Sequence, residues 1–210
     1  MFCPRCGRPL EGGEQFCPGC GNPLAPALSE ATAPPGPPEL PALLTTPELV
    51  MVRDREGGWV TFRFEDGSGR ILGATRAEPG FPLHYTLLDD EHRPILHLDG
   101  VRERGLQYTY RILGPDGGLL ASLAPQTSVL SRKYGVSVGG QPSLLLATNA
   151  TGSDYALTTE PGGATVATGA GSGLLHARTA VTVAGEASVD RRIVLGAMIL
   201  AGYFTTPRRT

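Results

Sequence analysis

From Pro47 onward, apolar and polar residues alternate in short runs broken by glycine and acidic turns. The alternation is clearest in Trp59-Val60-Thr61-Phe62-Arg63-Phe64 and in Gln107-Tyr108-Thr109-Tyr110-Arg111-Ile112. A period of two puts one set of side chains on each face of a strand, which is the pattern of a half-buried sheet. Turn chemistry recurs between the runs, at Gly57-Gly58, Asp66-Gly67, Asp89-Asp90, Asp116-Gly117-Gly118, Gly139-Gly140 and Pro161-Gly162-Gly163. Read this way, the strands are 49–54, 59–65, 70–76, 83–89, 94–100, 106–113, 118–123, 132–138, 142–148, 154–159, 164–168 and 174–184. Twelve short strands at this spacing predict a mainly β domain, an antiparallel barrel or sandwich.

One element departs from the pattern. Residues 190–204 read DRRIVLGAMILAGYF. Asp190 can cap a helix, and no proline follows before Pro207. Leu195, Ala197, Met198 and Leu200 favour the helix, while Gly196 and Gly202 oppose it. The apolar run Ile193–Phe204 covers twelve residues. As a helix it would span roughly 18 Å, against a hydrocarbon core of about 30 Å. A helix that is apolar all round must be enclosed all round. It is therefore expected to run through the middle of the β-structure, with Gly196, Ala197, Ala201 and Gly202 letting the strands approach closely.

Two other zones precede the β-domain. Residues 25–46 are rich in proline and hold no aromatic residue, so they are read as a flexible linker. Residues 1–24 hold all four cysteines, Cys3, Cys6, Cys17 and Cys20. They contain a repeat, because FCPRCGRPL at Phe2–Leu10 and FCPGCGNPL at Phe16–Leu24 agree at seven of nine positions. Two residues between cysteines let both thiolates of one knuckle reach a single ion from a tight turn. A ten-residue connection can fold as a hairpin and bring the second pair to the same ion. Four sulfurs satisfy one tetrahedral, structural Zn²⁺ and leave no position for water. Gly7 and Gly21 follow the knuckles and permit the positive φ that turns backbone N–H groups toward sulfur. The rival readings are disulfides, which need an oxidising compartment, and a redox Cys-x-x-Cys, which needs a βαβ setting. Neither setting is visible. This segment resembles the short zinc ribbons found at the start of many bacterial proteins.

The β-domain repeats a cadence of extended run, acidic or glycine turn, and two apolar residues. Examples are Asp66-Gly67 to Ile71-Leu72, Asp90-Glu91 to Ile95-Leu96, and Asp116-Gly117-Gly118 to Leu119-Leu120. With the enclosed helix after Asp190, residues 47–210 resemble the tubby-like superfamily, and within it the LURP-one-related and phospholipid scramblase branches. That resemblance implies a twelve-stranded barrel around a hydrophobic C-terminal helix at 190–204. Tubby proteins bind phosphoinositides through basic surface residues. Here the adjacent cations in the strands are only Arg132-Lys133, which read more simply as a solvated strand end. The acidic calcium segment of scramblases has no counterpart before Gly173, so the LURP-one-related branch fits best.

Charge narrows the function classes. The net charge is −2, and Lys133 is the one lysine, so no dense polybasic patch can form. In the ribbon, Arg5 and Arg8 stand against Glu11 and Glu14, and Zn²⁺ with four thiolates adds a further negative charge. Phosphate binding needs clustered cations and base stacking needs exposed aromatics, so a protein-contact role is preferred to nucleic-acid binding. Cys3 and Cys6 stand where a secretory leader would need a charged and then an apolar region, so a cytoplasmic setting is expected, with peripheral membrane contact as a variant.

Gly169-Ala170-Gly171-Ser172-Gly173 lacks the Lys-Ser or Lys-Thr of a phosphate loop and reads as a bulge or loose turn. His84, His92, His97 and His176 show no common spacing, and Asp89, Asp90, Glu91 and Asp99 read as solvated turn acids. Since nothing assigns acid, base and nucleophile together, no enzyme is expected. The resulting expectation is an intracellular binding or adaptor protein with a zinc ribbon, a linker and a barrel. A phospholipid-binding, scramblase-like protein and a nucleic-acid binder acting through the ribbon are the alternatives.

Overall fold

The computed structural model describes residues 6–9, 17–20, 40–56, 58–78, 83–103, 108–126, 133–149, 154–172, 178–184 and 189–204. The chain divides into two compact units, Met1–Glu39 and Leu40–Thr210.

The larger unit opens with one helical turn, α1 (Ala42–Thr45). Six strands follow: β1 (Glu48–Glu56), β2 (Trp59–Glu65), β3 (Ile71–Ala77), β4 (His84–Asp89), β5 (Pro94–Arg102) and β6 (Tyr108–Leu113). Six more complete the sheet: β7 (Leu119–Gln126), β8 (Lys133–Val138), β9 (Gln141–Thr148), β10 (Asp154–Thr159), β11 (Thr165–Ser172) and β12 (Arg178–Val183). The chain then enters α2 (Arg191–Phe204). Every strand pairs with its sequence neighbours, and β1 pairs with β12, which closes an antiparallel barrel. Closure removes the unpaired N–H and C=O groups that an open sheet edge exposes.

The alternation read from the sequence is the alternation of the barrel wall. Phe62 and Phe64 on β2 are buried, while Trp59 is 43% exposed. Leu96 and Leu98 of β5, Leu123 of β7, Leu144 and Leu146 of β9, and Leu157 of β10 join them in one core cluster. The centre of that cluster is α2, whose residues Ile193 to Gly202 are all buried. It touches β5, β6, β7, β9, β10 and β11. A helix with its side chains is about 10–12 Å across, so it fills the interior of the cylinder. A methyl on Gly196 would press on Ile112, and one on Gly202 on Phe62 and Met51, so both glycines admit the wall. Asp190 caps the helix as expected, its Oδ1 accepting from Arg192 N–H at 2.9 Å.

Where the helix ends, its last turn is packed in aromatics. Phe204 stacks on Tyr134 at 4.7 Å and meets Tyr110 edge-on at 5.0 Å, and Tyr203 meets Tyr85 at 6.3 Å. Tyr85 in turn donates its hydroxyl proton to Val60 O. Register also brings a charge to this level. Arg53 lies opposite Phe62 on the inner face of β1.

Three expectations change. Of the linker expected at 25–46, Leu40–Thr46 belongs to the barrel unit. Leu43 is fully buried there, because Gly73 on β3 leaves room for its Cδ2. The rest of that stretch, 25–39, lies outside the described residues. The glycine-rich stretch from Gly169 is not a bulge or turn. Gly169–Ser172 form the second half of β11, all four paired with β12 and Gly169 and Ala170 also with β10, and the Tyr155 ring occupies the space a side chain at Gly169 would need. Gly173, and the expected strand residues 174–177, lie outside the described residues, and β12 begins at Arg178. Finally, Asp89 is not a solvated acid. It is 4% exposed, and its carboxylate accepts from Glu91 N–H, Arg93 N–H and Arg93 Nε.

Among the described residues no helix is long and apolar enough to cross a membrane.

Candidate metal centre

The smaller unit brings the knuckles together. Cys6 ends the first one, and Gly7 behind it has φ +71°, the left-handed conformation expected of it. The second knuckle runs Cys17-Pro18-Gly19-Cys20 as a turn. Cys17 is 1% exposed, Cys20 is half-buried and Cys6 is exposed. Their three sulfurs all lie within 4.8 Å of one another.

Cys6 Sγ and Cys17 Sγ are 3.6 Å apart. A disulfide would need about 2.05 Å. Four sulfurs at about 2.3 Å from one tetrahedral zinc stand about 3.8 Å from each other. The observed spacing is therefore that of two corners of a zinc tetrahedron. The cluster is able to hold one metal ion, and thiolate donors select zinc among the common divalent ions.

Residues 2–24 match the family model of the zinc-ribbon domain. The match covers both knuckles of the ribbon. Cys3, the expected fourth ligand, and Gly21, the second expected turn glycine, lie outside the described residues. The barrel has its own counterpart among solved structures. An X-ray structure of a protein from Arabidopsis thaliana superimposes with a TM-score of 0.54 at 17% identity, covering 79% of this chain and 96% of that one. At that identity the likeness concerns the fold. No curated protein matches the chain.

The remaining candidate residues resolve into structural pairs. His84 Nδ1 lies 2.9 Å from Asp99 Oδ1, and His97 Nδ1 lies 3.0 Å from Thr86 Oγ1, both across the β4–β5 ladder. His92 sits in the turn after β4 with φ +63°, donating its N–H to Asp89 O at 3.1 Å. His176 and Arg132 lie outside the described residues, and Lys133 is exposed at the start of β8. Asp90 pairs with Arg70, and Glu91 with Arg93, each at 2.9 Å.

No Gly-x-Ser-x-Gly was expected in the chain, yet Gly135-Val136-Ser137-Val138-Gly139 has that spacing. It has the Gly-x-Ser-x-Gly form of a nucleophile elbow, which requires a strand turning into a helix. Here β8 turns at Gly139-Gly140 into β9, with Ser137 opposite Ser122 and Pro142, so the elbow is not formed.

A charged seam that the sequence does not announce runs over the closing strands. Glu65, with a side chain 8% exposed, takes Arg178 Nη2 at 2.7 Å and Arg63 Nε at 3.1 Å, and Arg63 reaches Asp54 at 2.9 Å. Burial pushes the Glu65 carboxyl upward, but the bonds from Arg63 and Arg178 outweigh it and hold it below the usual glutamate range. The seam ties β12 to β2 across β1. Its signal in sequence is weak, since Glu65 and Arg178 are 113 residues apart.

Proposed function

We propose that the chain is a non-enzymatic binding protein, in which the zinc ribbon recruits a protein partner and the barrel is a stable body resembling the tubby-like superfamily and its LURP-one-related branch. The observation that carries this reading is the burial of α2 from Ile193 to Gly202. A barrel whose interior is taken by its own helix meets its partners on the outside. The ribbon supports the same reading, because a site closed by sulfur has no position for substrate. A cytoplasmic setting goes with it, since thiols stay reduced there.

The test is retention of partners from a lysate by the full chain, by a chain lacking residues 1–24, and by Cys17→Ser. Partners held by the first and lost from the other two are expected. Turnover of an ester, phosphate or nucleotide substrate that one point change in the barrel abolishes would overturn the reading.

A phospholipid-binding role is the second reading. Trp59 at the β1–β2 tip is 43% exposed, as suits an amphipathic ring at a headgroup layer. Flotation with anionic vesicles at low salt decides it, and no association removes it. For nucleic acid, Arg5 and Arg8 are the ribbon's cations, and their number is small for a phosphate track.

A further inference from the structure

Gly19 lies inside the second knuckle, between Pro18 and Cys20. Its backbone is not in the left-handed region, unlike that of Gly7, so conformation does not explain the glycine. Space does. A methyl group on Gly19 would stand 2.8 Å from Arg8 Cδ, 3.3 Å from Arg8 Nη1 and 3.7 Å from Cys17 Sγ. A guanidinium from the first knuckle and a sulfur from the second therefore share the room left by one missing side chain.

The chemistry of the cluster gives that shared space a role. Zinc with four thiolates carries two net negative charges. Cys17 is the most deeply buried of the three described sulfurs, so water solvates its charge least. Arginine stays protonated in proteins and offers five N–H donors. We propose that Arg8 is the charge-balancing residue of the metal centre, laid against Cys17 through the gap at Gly19, and that the ribbon's hold on its ion depends on this pair. The proposal rests on the zinc-ribbon reading. It also assigns Arg8 to the metal rather than to an external phosphate.

The test uses the full chain loaded with Zn²⁺ and competed with a chelator, and Co²⁺ loading to report the ligand set. Arg8→Gln is expected to weaken Zn²⁺ binding on the order of tenfold, as loss of a supporting partner around a metal site does. Arg8→Lys, which keeps the charge, should recover most of it. Gly19→Ala leaves Arg8 in the chain but displaces it, so it should reproduce the Arg8→Gln loss. The double variant should be no weaker than either single one, because both act through the placement of one guanidinium. A tetrahedral thiolate cobalt spectrum in each variant shows the ligands intact. The proposal is overturned if the parent takes one ion and Arg8→Gln holds it as tightly, or if the two losses multiply in the double variant. If the parent with reduced cysteines takes up no ion, the ribbon reading itself falls, and the proposal with it.

Discussion

Glycine inside a strand costs backbone entropy and gives nothing to pack. Gly169 is kept in β11 because the Tyr155 ring lies where its side chain would be. Gly169→Ala must push that buried ring aside, at about 2–3 kcal/mol, as overpacking does. Thermal melting checks it, and Tyr155→Leu in the same chain should recover part of the loss. If Gly169→Ala melts with the parent, the ring does not press on β11. The opposite sign is expected at Arg191, the first residue of α2. Its Nε and Nη2 are buried with no hydrogen-bond partner among the described residues, and burial holds its guanidinium below the ordinary arginine range. Arginine does not deprotonate in response, so the strain is borne by the fold. Arg191→Met should stabilise by about 1 kcal/mol, seen as a higher urea midpoint. A lower midpoint would mean that the guanidinium has a stabilising role.

At the scale of elements, α2 decides what the strands enclose. Leu195 is fully buried at its centre. Leu195→Asp would force an unpaired carboxylate into an apolar interior, a cost of several kcal/mol, and should abolish the cooperative melt of the barrel. A variant that melts like the parent would place the helix outside the wall. The helix and most strands were legible because their signals are local: a cap at Asp190, an uninterrupted apolar run, period-two alternation at Trp59–Phe64. What was not legible depends on residues far apart in the chain. Leu43 looked like linker because the space it fills is made by Gly73. Gly169 looked like a turn because Tyr155 is its reason. Asp89 looked solvated because only the folded turn aims two backbone N–H groups and Arg93 at it. In the ribbon the gathering of Cys6, Cys17 and Cys20 was legible from spacing, but the approach of Arg8 over Gly19 was not.

Three buried or half-buried carboxylates are bonded to arginine, and all titrate low. Desolvation pushes Asp89 up, but backbone and side-chain bonds from Arg93 outweigh it, while for Asp190 the side-chain bond from Arg192 leads. Glu65 is held low in the β12–β2 seam. Unfolded, such groups titrate near pH 4. Between the folded and unfolded values the unfolded chain binds more protons, so stability falls as pH falls there. The stabilisation from these groups is present in full above the ordinary carboxylate range and lost below it. Urea midpoints of the barrel should hold from neutrality to about pH 5 and drop below about pH 4. Glu65→Gln should flatten part of that drop. A midpoint unchanged down to pH 3 would refute the linkage.

For the molecule as a whole, stability comes from two different sources. The unit Leu40–Thr210 has its own apolar core, with α2 inside a closed sheet. The unit Met1–Glu39 holds the sulfur cluster, and in so short a segment metal binding is folding free energy. Removing the ion with a strong chelator should therefore melt the ribbon alone. In a backbone amide NMR spectrum, resonances of residues 1–24 are expected to collapse toward unfolded positions while those of the strands stay in place. The barrel should melt at the same temperature with and without metal, and Cys17→Ser should mimic chelation without changing that temperature. A barrel that loses stability with the ion would show that its core is not self-sufficient. In that case the ribbon would be a structural part of the barrel rather than a separate recruiting module.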